Sequence, residues 1–170
     1  NTNLPKGYEP HSFSGWVYVN EPPPYAQTAF IRTNHEAACG NSIGLVVLAQ
    51  PFGHKIGMNW CTSQSSSGID VDYGTWMHLA YTRQDGDFSI YKNGVLIHTF
   101  NHSIDLSGDS DWRVNSDNAF WDGMMEDVAI YNRQLSSEEI QNIYTNGLDD
   151  IEEGRVAYLK FNKGSGNTIY

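Results

Sequence analysis

The stretch Trp76–Phe100, WMHLAYTRQDGDFSIYKNGVLIHTF, decides the fold. Within it, Asn93-Gly94 separates the apolar runs FSIYK and VLIHTF. A two-residue type I′ hairpin turn needs positive φ at both central positions, and Asn-Gly tolerates that best. Phe88–Lys92 and Val95–Phe100 are therefore expected to be two strands of one hairpin. Gln84-Asp85-Gly86-Asp87 offers turn chemistry one strand earlier. Trp76–Arg83 then joins the pair in an antiparallel meander.

Upstream, SFSGWVYVN (Ser12–Asn20) sets Phe13, Gly15, Val17 and Val19 on one face and Ser14, Trp16 and Tyr18 on the other. That alternation is a strand with two useful faces. Glu21-Pro22-Pro23-Pro24 cannot join a sheet interior, because proline donates no ladder hydrogen bond. Ala29–Thr33, Ser42–Ala49 and Lys55–Thr62 follow as strands between Gly, Asn and Pro breakers. Downstream, Trp112–Asn115 and Gly123–Tyr131 read the same way. Many strands with hairpin turns, and no alternation of strand and helix, imply an all-β fold: an antiparallel two-sheet jelly-roll β-sandwich.

One short helix after the last long strand interrupts the pattern, in LSSEEIQNIYTNG. Ser136 caps it, Glu139 closes a capping box, Ile140, Ile143 and Tyr144 form an apolar stripe, and Gly147 stops it. Residues 1–148 then make one sandwich domain, and 149–154 an acidic, solvated connection. A fresh strand, RVAYLKFN (Arg155–Asn162), opens the segment 155–170.

Composition narrows the function. At 170 residues the chain can bury one good core. The net charge of −10, with 10 Lys and Arg that do not cluster, opposes binding to nucleic-acid backbones. No apolar stretch approaches the roughly 18 to 20 residues that span a bilayer. The chain opens at Asn1 with neither Met nor signal peptide, as a processed or excised start would. Cys39 and Cys61 are the only cysteines and belong to no metal-ligand spacing. One disulfide is the expectation, against two buried free thiols in a reducing compartment. Asn101-His102-Ser103 matches the N-glycosylation acceptor pattern, a tripeptide that chance also produces often. The histidines form no His-Glu-x-x-His run, and no nucleophile elbow, phosphate loop or dinucleotide fingerprint occurs.

In order and spacing, W76-M-H-L-A-Y-T, F88-S-I-Y-K-N-G-V-L-I and W121-D-G-M-M-E-D-V-A-I-Y-N-R-Q-L-S-S-E-E-I-Q-N-I-Y-T-N-G resemble the laminin G-like, concanavalin A-like domain family. SFSGWVYV is similar to that family's early aromatic strand. The resemblance covers most of Phe13–Gly147 and implies an extracellular or cell-surface module for adhesion or ligand binding rather than chemistry. It also implies that Trp16, Trp76 and Trp121 pack in the core. An acidic residue at the Asp127 position helps related domains hold calcium. Calcium needs six to eight oxygens, so one strand residue needs partners, and a carboxylate bonded to backbone is the plain alternative. The tail 155–170 is similar to the opening strand of the same domain type. It could be permuted, begin a next repeat, or be exchanged with a neighbour; the short connection favours a neighbour or next repeat over self-docking.

Glu126 and Asp127 lack the Glu-x-Asp-x-x-Glu pattern of the fold's hydrolases, and neighbours on a strand point to opposite faces. No enzyme is expected. Trp112, within the Asx-rich run holding Asp109, Asp111, Asn115, Asp117 and Asn118, combines an exposed ring with oxygen ligands and so suits sugar recognition, although Asx residues also simply favour turns. Trp60 reads equally as core or ligand-facing. The expected partner is a glycan or glycoprotein, with calcium assistance. A structural repeat of an extracellular filament or array, joined by pairing of strand 155–162 with a neighbour, is the alternative.

Overall fold

The computed structural model describes residues 4–22, 27–33, 42–48, 51–60, 63–106, 112–114 and 122–161. Two antiparallel sheets pack face to face. The front sheet has six strands: β1 (His11–Val19), β6 (Trp76–Gln84), β7 (Asp87–Lys92), β8 (Val95–Asn101), β10 (Gly123–Tyr131) and β11 (Arg155–Leu159), in the order β11-β10-β1-β6-β7-β8. The back sheet has five: β2 (Gln27–Thr33), β3 (Gly44–Leu48), β4 (Lys55–Trp60), β5 (Ser63–Asp70) and β9 (Trp112–Val114), in the order β5-β4-β3-β2-β9. This is the jelly-roll sandwich expected.

The meander forms as read. Asp85 and Gly86 have φ of 52° and 86°, and Asn93 and Gly94 have 51° and 77°, so both turns use paired left-handed residues. Alternation then sorts the side chains. Phe13, Val17, Met77, Leu79, Tyr81, Phe88, Ile90 and Val128 from the front sheet meet Ile31, Leu45, Val47, Ile56 and Met58 from the back sheet in one buried core. The opposite face of the front sheet is partly roofed by α1 (Ser137–Asn146). Its Ile140 and Ile143 pack on Ala80, Tyr91, Ala129 and Tyr131. The capping box is formed as expected: the Glu139 N–H donates to Ser136 Oγ at 3.2 Å, and the Ser136 N–H donates to Glu139 Oε2 at 2.8 Å. Arg133 adds a forked ion pair to Glu139, with the closer contact at 2.6 Å.

Two features differ from expectation. The first is β5, SQSSSGID, a strand without an apolar face. It is held by the backbone ladder to β4 and lies at the back sheet's edge, where polar residues stay in water. The second is β11. It pairs antiparallel with β10 of its own chain, from Val128↔Leu159 to Tyr131↔Arg155, the self-docked arrangement among the three the sequence left open. The connection makes this docking local. Tyr131 Oη donates to the Ile151 carbonyl at 3.1 Å, Arg133 Nε to the Glu153 carbonyl at 2.9 Å, and the Asn132 N–H to the Gly154 carbonyl at 2.8 Å. The acidic segment is thus anchored along the end of β10, and six residues suffice to reach that adjacent edge.

Candidate functional site

Where the roof of α1 ends, the outer face of the front sheet carries aromatic side chains. On β1, Trp16 and Tyr18 lie on this face. Tyr18 stands opposite Met124 on β10 and Trp76 on β6, so these three form one row across three strands. The Tyr18 and Trp76 ring centroids are 5.7 Å apart at 63°. In the next row Trp16 lies between Glu126 and His78. Tyr144, near the end of α1, leans on Trp16 with centroids 5.7 Å apart, closing the strip at the helix. Trp76 is 36% exposed and Met124 51%. The rim is polar: Glu126, Asn20 and Asp122 are exposed, and the Asn20 N–H donates to the Asp122 carbonyl at 2.9 Å. Ring faces beside carboxylates and amides can stack on apolar ring surfaces and accept bonds from hydroxyls.

Trp16 and Trp76 were expected in the core; Trp16 is half-buried on the outer face and Trp76 is exposed there, which corrects both. The alternation in WMHLAYTRQ was the available signal: Met77, Leu79 and Tyr81 are buried inward, which sends Trp76, His78 and Ala80 outward. Ala80 and His78 are then covered by α1 and Tyr144, and Trp76 lies beyond them. His78 is fully buried, with Nε2 2.8 Å from Ser14 Oγ, and burial lowers its pKa to about 4.

The other expected residues lie apart from this strip. Trp112 is no exposed loop residue: it begins β9 opposite Thr33, packs on the core, and meets the His11 ring edge-on at 5.4 Å with its indole N–H buried. Asp109, Asp111, Asn115, Asp117, Asn118, Trp121, Cys39 and Cys61 lie outside the described residues, and with them the expected disulfide. Trp60 is half-buried, stacked on Phe100 at 5.1 Å and His102 at 4.4 Å, closing the sandwich where β4 meets β8. Asn101 ends β8, its amide donating to Asp87 Oδ1 at 2.7 Å.

Asp127 occupies a β-bulge with φ of 49°, where Ser14↔Ala129 shifts to Trp16↔Glu126. Its Oδ1 accepts from Tyr158 Oη at 2.7 Å. Tyr158 belongs to the helix-side cluster and Glu126 stands opposite the outward Trp16. The bulge therefore breaks the strict alternation that would have sent these two carboxylates to opposite faces. Among the described residues no group of three or more His, Cys, Asp or Glu gathers around Asp127.

A second polar arrangement crosses the outer face of the back sheet. Arg113, Arg32, Gly44, Asn59 and Gln64 stand opposite one another in register on β9, β2, β3, β4 and β5. The Arg32 side chain lies over Gly44 and donates from Nη2 to Asn59 Oδ1 at 2.9 Å. No sequence signal pointed to this row, because its members are united only by strand pairing.

Several solved structures share the fold. Domain 4 of AbnA, a GH43 extracellular arabinanase from Geobacillus stearothermophilus solved in complex with arabinotriose, matches with a TM-score of 0.69 and 19% identity over 85% of this chain and 70% of that one. A Bacteroides ovatus protein described as carbohydrate-binding matches at 0.73 and 15% identity, over 94% of this chain and 47% of that one. The heptameric SAP-like pentraxin of Limulus polyphemus matches at 0.66 and 14%, over 92% of this chain and 79% of that one. No curated protein sequence matches the chain. At these identities the likeness shows the fold. The family model of the concanavalin A-like lectin/glucanases superfamily matches residues 2–141, from before β1 into α1, and the chain belongs to that superfamily.

Proposed function

We propose that this chain is a non-catalytic, extracellular module that binds a glycan on the aromatic strip Trp16, Tyr18, Trp76 and Tyr144. The observation that carries this reading is the exposure of Trp76 beside Tyr18 on a sheet face that α1 leaves open. Large aromatic rings held at a surface by strand pairing present preformed stacking area at little entropic cost. Glu126 and Asp122 at the rim accept bonds from sugar hydroxyls. The solved relatives include a domain in complex with arabinotriose and a protein described as carbohydrate-binding, which supports a saccharide as the ligand class.

The placement of Glu126 and Asp127 supports binding rather than hydrolysis. Asp127 is bonded to Tyr158, and Glu126 is exposed on an open sheet. The two do not flank a cleft as an acid and a base must. Pairing of β11 within the chain favours the binding reading over the array-forming one.

A glycan array followed by affinity electrophoresis tests the reading. The wild-type protein is expected to select a saccharide, and Trp76→Ala and Tyr18→Ala to weaken that binding about tenfold or more, or roughly 1.4 kcal/mol. Trp76→Ala should cost about 1 to 3 kcal/mol of stability, because the ring is 36% exposed and packs on Tyr18, and should leave the protein folded. Full binding by both variants would remove the strip from the account.

A further inference from the structure

The polar row on the back sheet contains a cation, Arg32, that pairs with no carboxylate among the described residues. Arg32 is half-buried, and its guanidinium makes one hydrogen bond among the described residues, to the neutral amide of Asn59. Its Nε is buried without a partner. Desolvation without a countercharge holds its pKa below the ordinary arginine value. Its cross-strand neighbour on β9 is Arg113. The chain carries 20 Asp and Glu against 10 Lys and Arg, so a carboxylate partner would have been easy to supply.

The placement is also built. A Cβ on Gly44 would come 3.1 Å from Asn59 Oδ1 and 3.3 Å from Arg32 Nε, so a bare glycine lets the Arg32 side chain cross β3 to reach β4. Arginines drawn out of water are usually paired, and a charge left without its partner is costly relative to a matched pair. Arg83, which is fully buried, shows the usual solution: it donates to the backbone carbonyls of Gly7 and Ile104 and lies over the Phe88 ring. Among the described residues Arg32 has the single acceptor Asn59 Oδ1.

We propose that Arg32 is the anion-recognising residue of a second binding site, on the back sheet, for a carboxylate-bearing sugar. A guanidinium with unused donors presents a planar fork that matches a carboxylate. Gln64, exposed at the far end of the row, supplies an amide for hydroxyl groups. Recognition of the anion rests on Arg32 alone, whereas its being carried by a sugar rests on the glycan-binding reading above. The net charge of −10 opposes casual attraction of anions, so binding here requires specific contact.

The test is a titration of the full chain with glucuronate, glucose and acetate at constant ionic strength, followed by NMR of the arginine side-chain N–H groups. Glucuronate is expected to shift the Arg32 Nε resonance and to bind at least about tenfold tighter than either glucose or acetate. Arg32→Lys should keep part of that preference and Arg32→Met none. Thermal melting separates a binding role from a structural one: Arg32→Met should hold or raise the midpoint, because it removes an unpaired charge. Equal binding of glucose and glucuronate, or no shift with either anion, overturns the anion site. Equal binding of acetate and glucuronate overturns the sugar as its carrier. A large fall in the Arg32→Met midpoint identifies a structural arginine and overturns the proposal.

Discussion

Acidification from pH 7 to pH 4 is expected to remove several kcal/mol of stability through two buried histidines. His11 and His78 are both fully buried, and burial lowers the pKa of each from 6.5 to about 4. For His11 the Glu9 carbonyl, 3.0 Å from Nδ1, works against that shift and nearby Arg83 works with it. His78 carries the opposite constraint of a single partner, Ser14 Oγ, beneath Trp16 and Tyr144. A depressed folded-state pKa means that the unfolded chain takes up protons first. The stability is therefore complete above pH 6.5, falls as the pH drops from 6.5 towards 4, and is fully lost below that window. At about 1.4 kcal/mol per unit of pKa, each histidine contributes roughly 3 kcal/mol. Urea unfolding at closely spaced pH values measures this directly, with an expected mid-window slope of about 2.7 kcal/mol per pH unit. A flat profile down to pH 4.5, or NMR titration of both imidazoles near 6.5, would contradict it. The Arg133–Glu139 ion pair is lost in a lower window, because Arg133 holds the Glu139 carboxyl below its usual range.

Truncation after Gly154 should cost a comparable amount. β11 lays Val156, Ala157 and Leu159 against the main core and Tyr158 against the helix-side cluster. Half-burying four such side chains is worth about 1 kcal/mol each, so a loss of roughly 3 to 5 kcal/mol is expected in urea. The truncated chain also exposes the β10 edge, an invitation to pairing between molecules, and sedimentation should then report association. Unchanged stability and an unchanged monomer-to-oligomer ratio would show that β11 adds nothing to the sandwich. Tyr158→Phe isolates the bond to Asp127, which contributes about 1 kcal/mol.

The parts of the fold that local chemistry dictates were legible. Asn93-Gly94 and Asp85-Gly86 need left-handed residues and have them, and the Ser136–Glu139 box needs only residues three apart. β5 was illegible because an edge strand rich in serine carries no apolar alternation, and only pairing with β4 makes it a strand. Trp76 follows the alternation of its own strand, which sends it outward, and not the core position that family resemblance implied. Trp112 was misplaced for a different reason: Asx-rich surroundings say that a loop is near, not which side of its boundary a residue occupies. The Arg32 row joins positions 32, 44, 59, 64 and 113, and no reading along one segment brings these together.

The aromatic strip is the central claim, and the five tryptophans supply its probes. Titration of the ¹⁵N-labelled protein with the saccharide selected on the array, read at the indole N–H resonances, reports which rings meet ligand. The Trp76 and Trp16 signals are expected to move together and saturate at one concentration, while those of Trp60 and Trp112 stay still. Movement of Trp112 with Trp76 unmoved would place the ligand elsewhere and contradict the account.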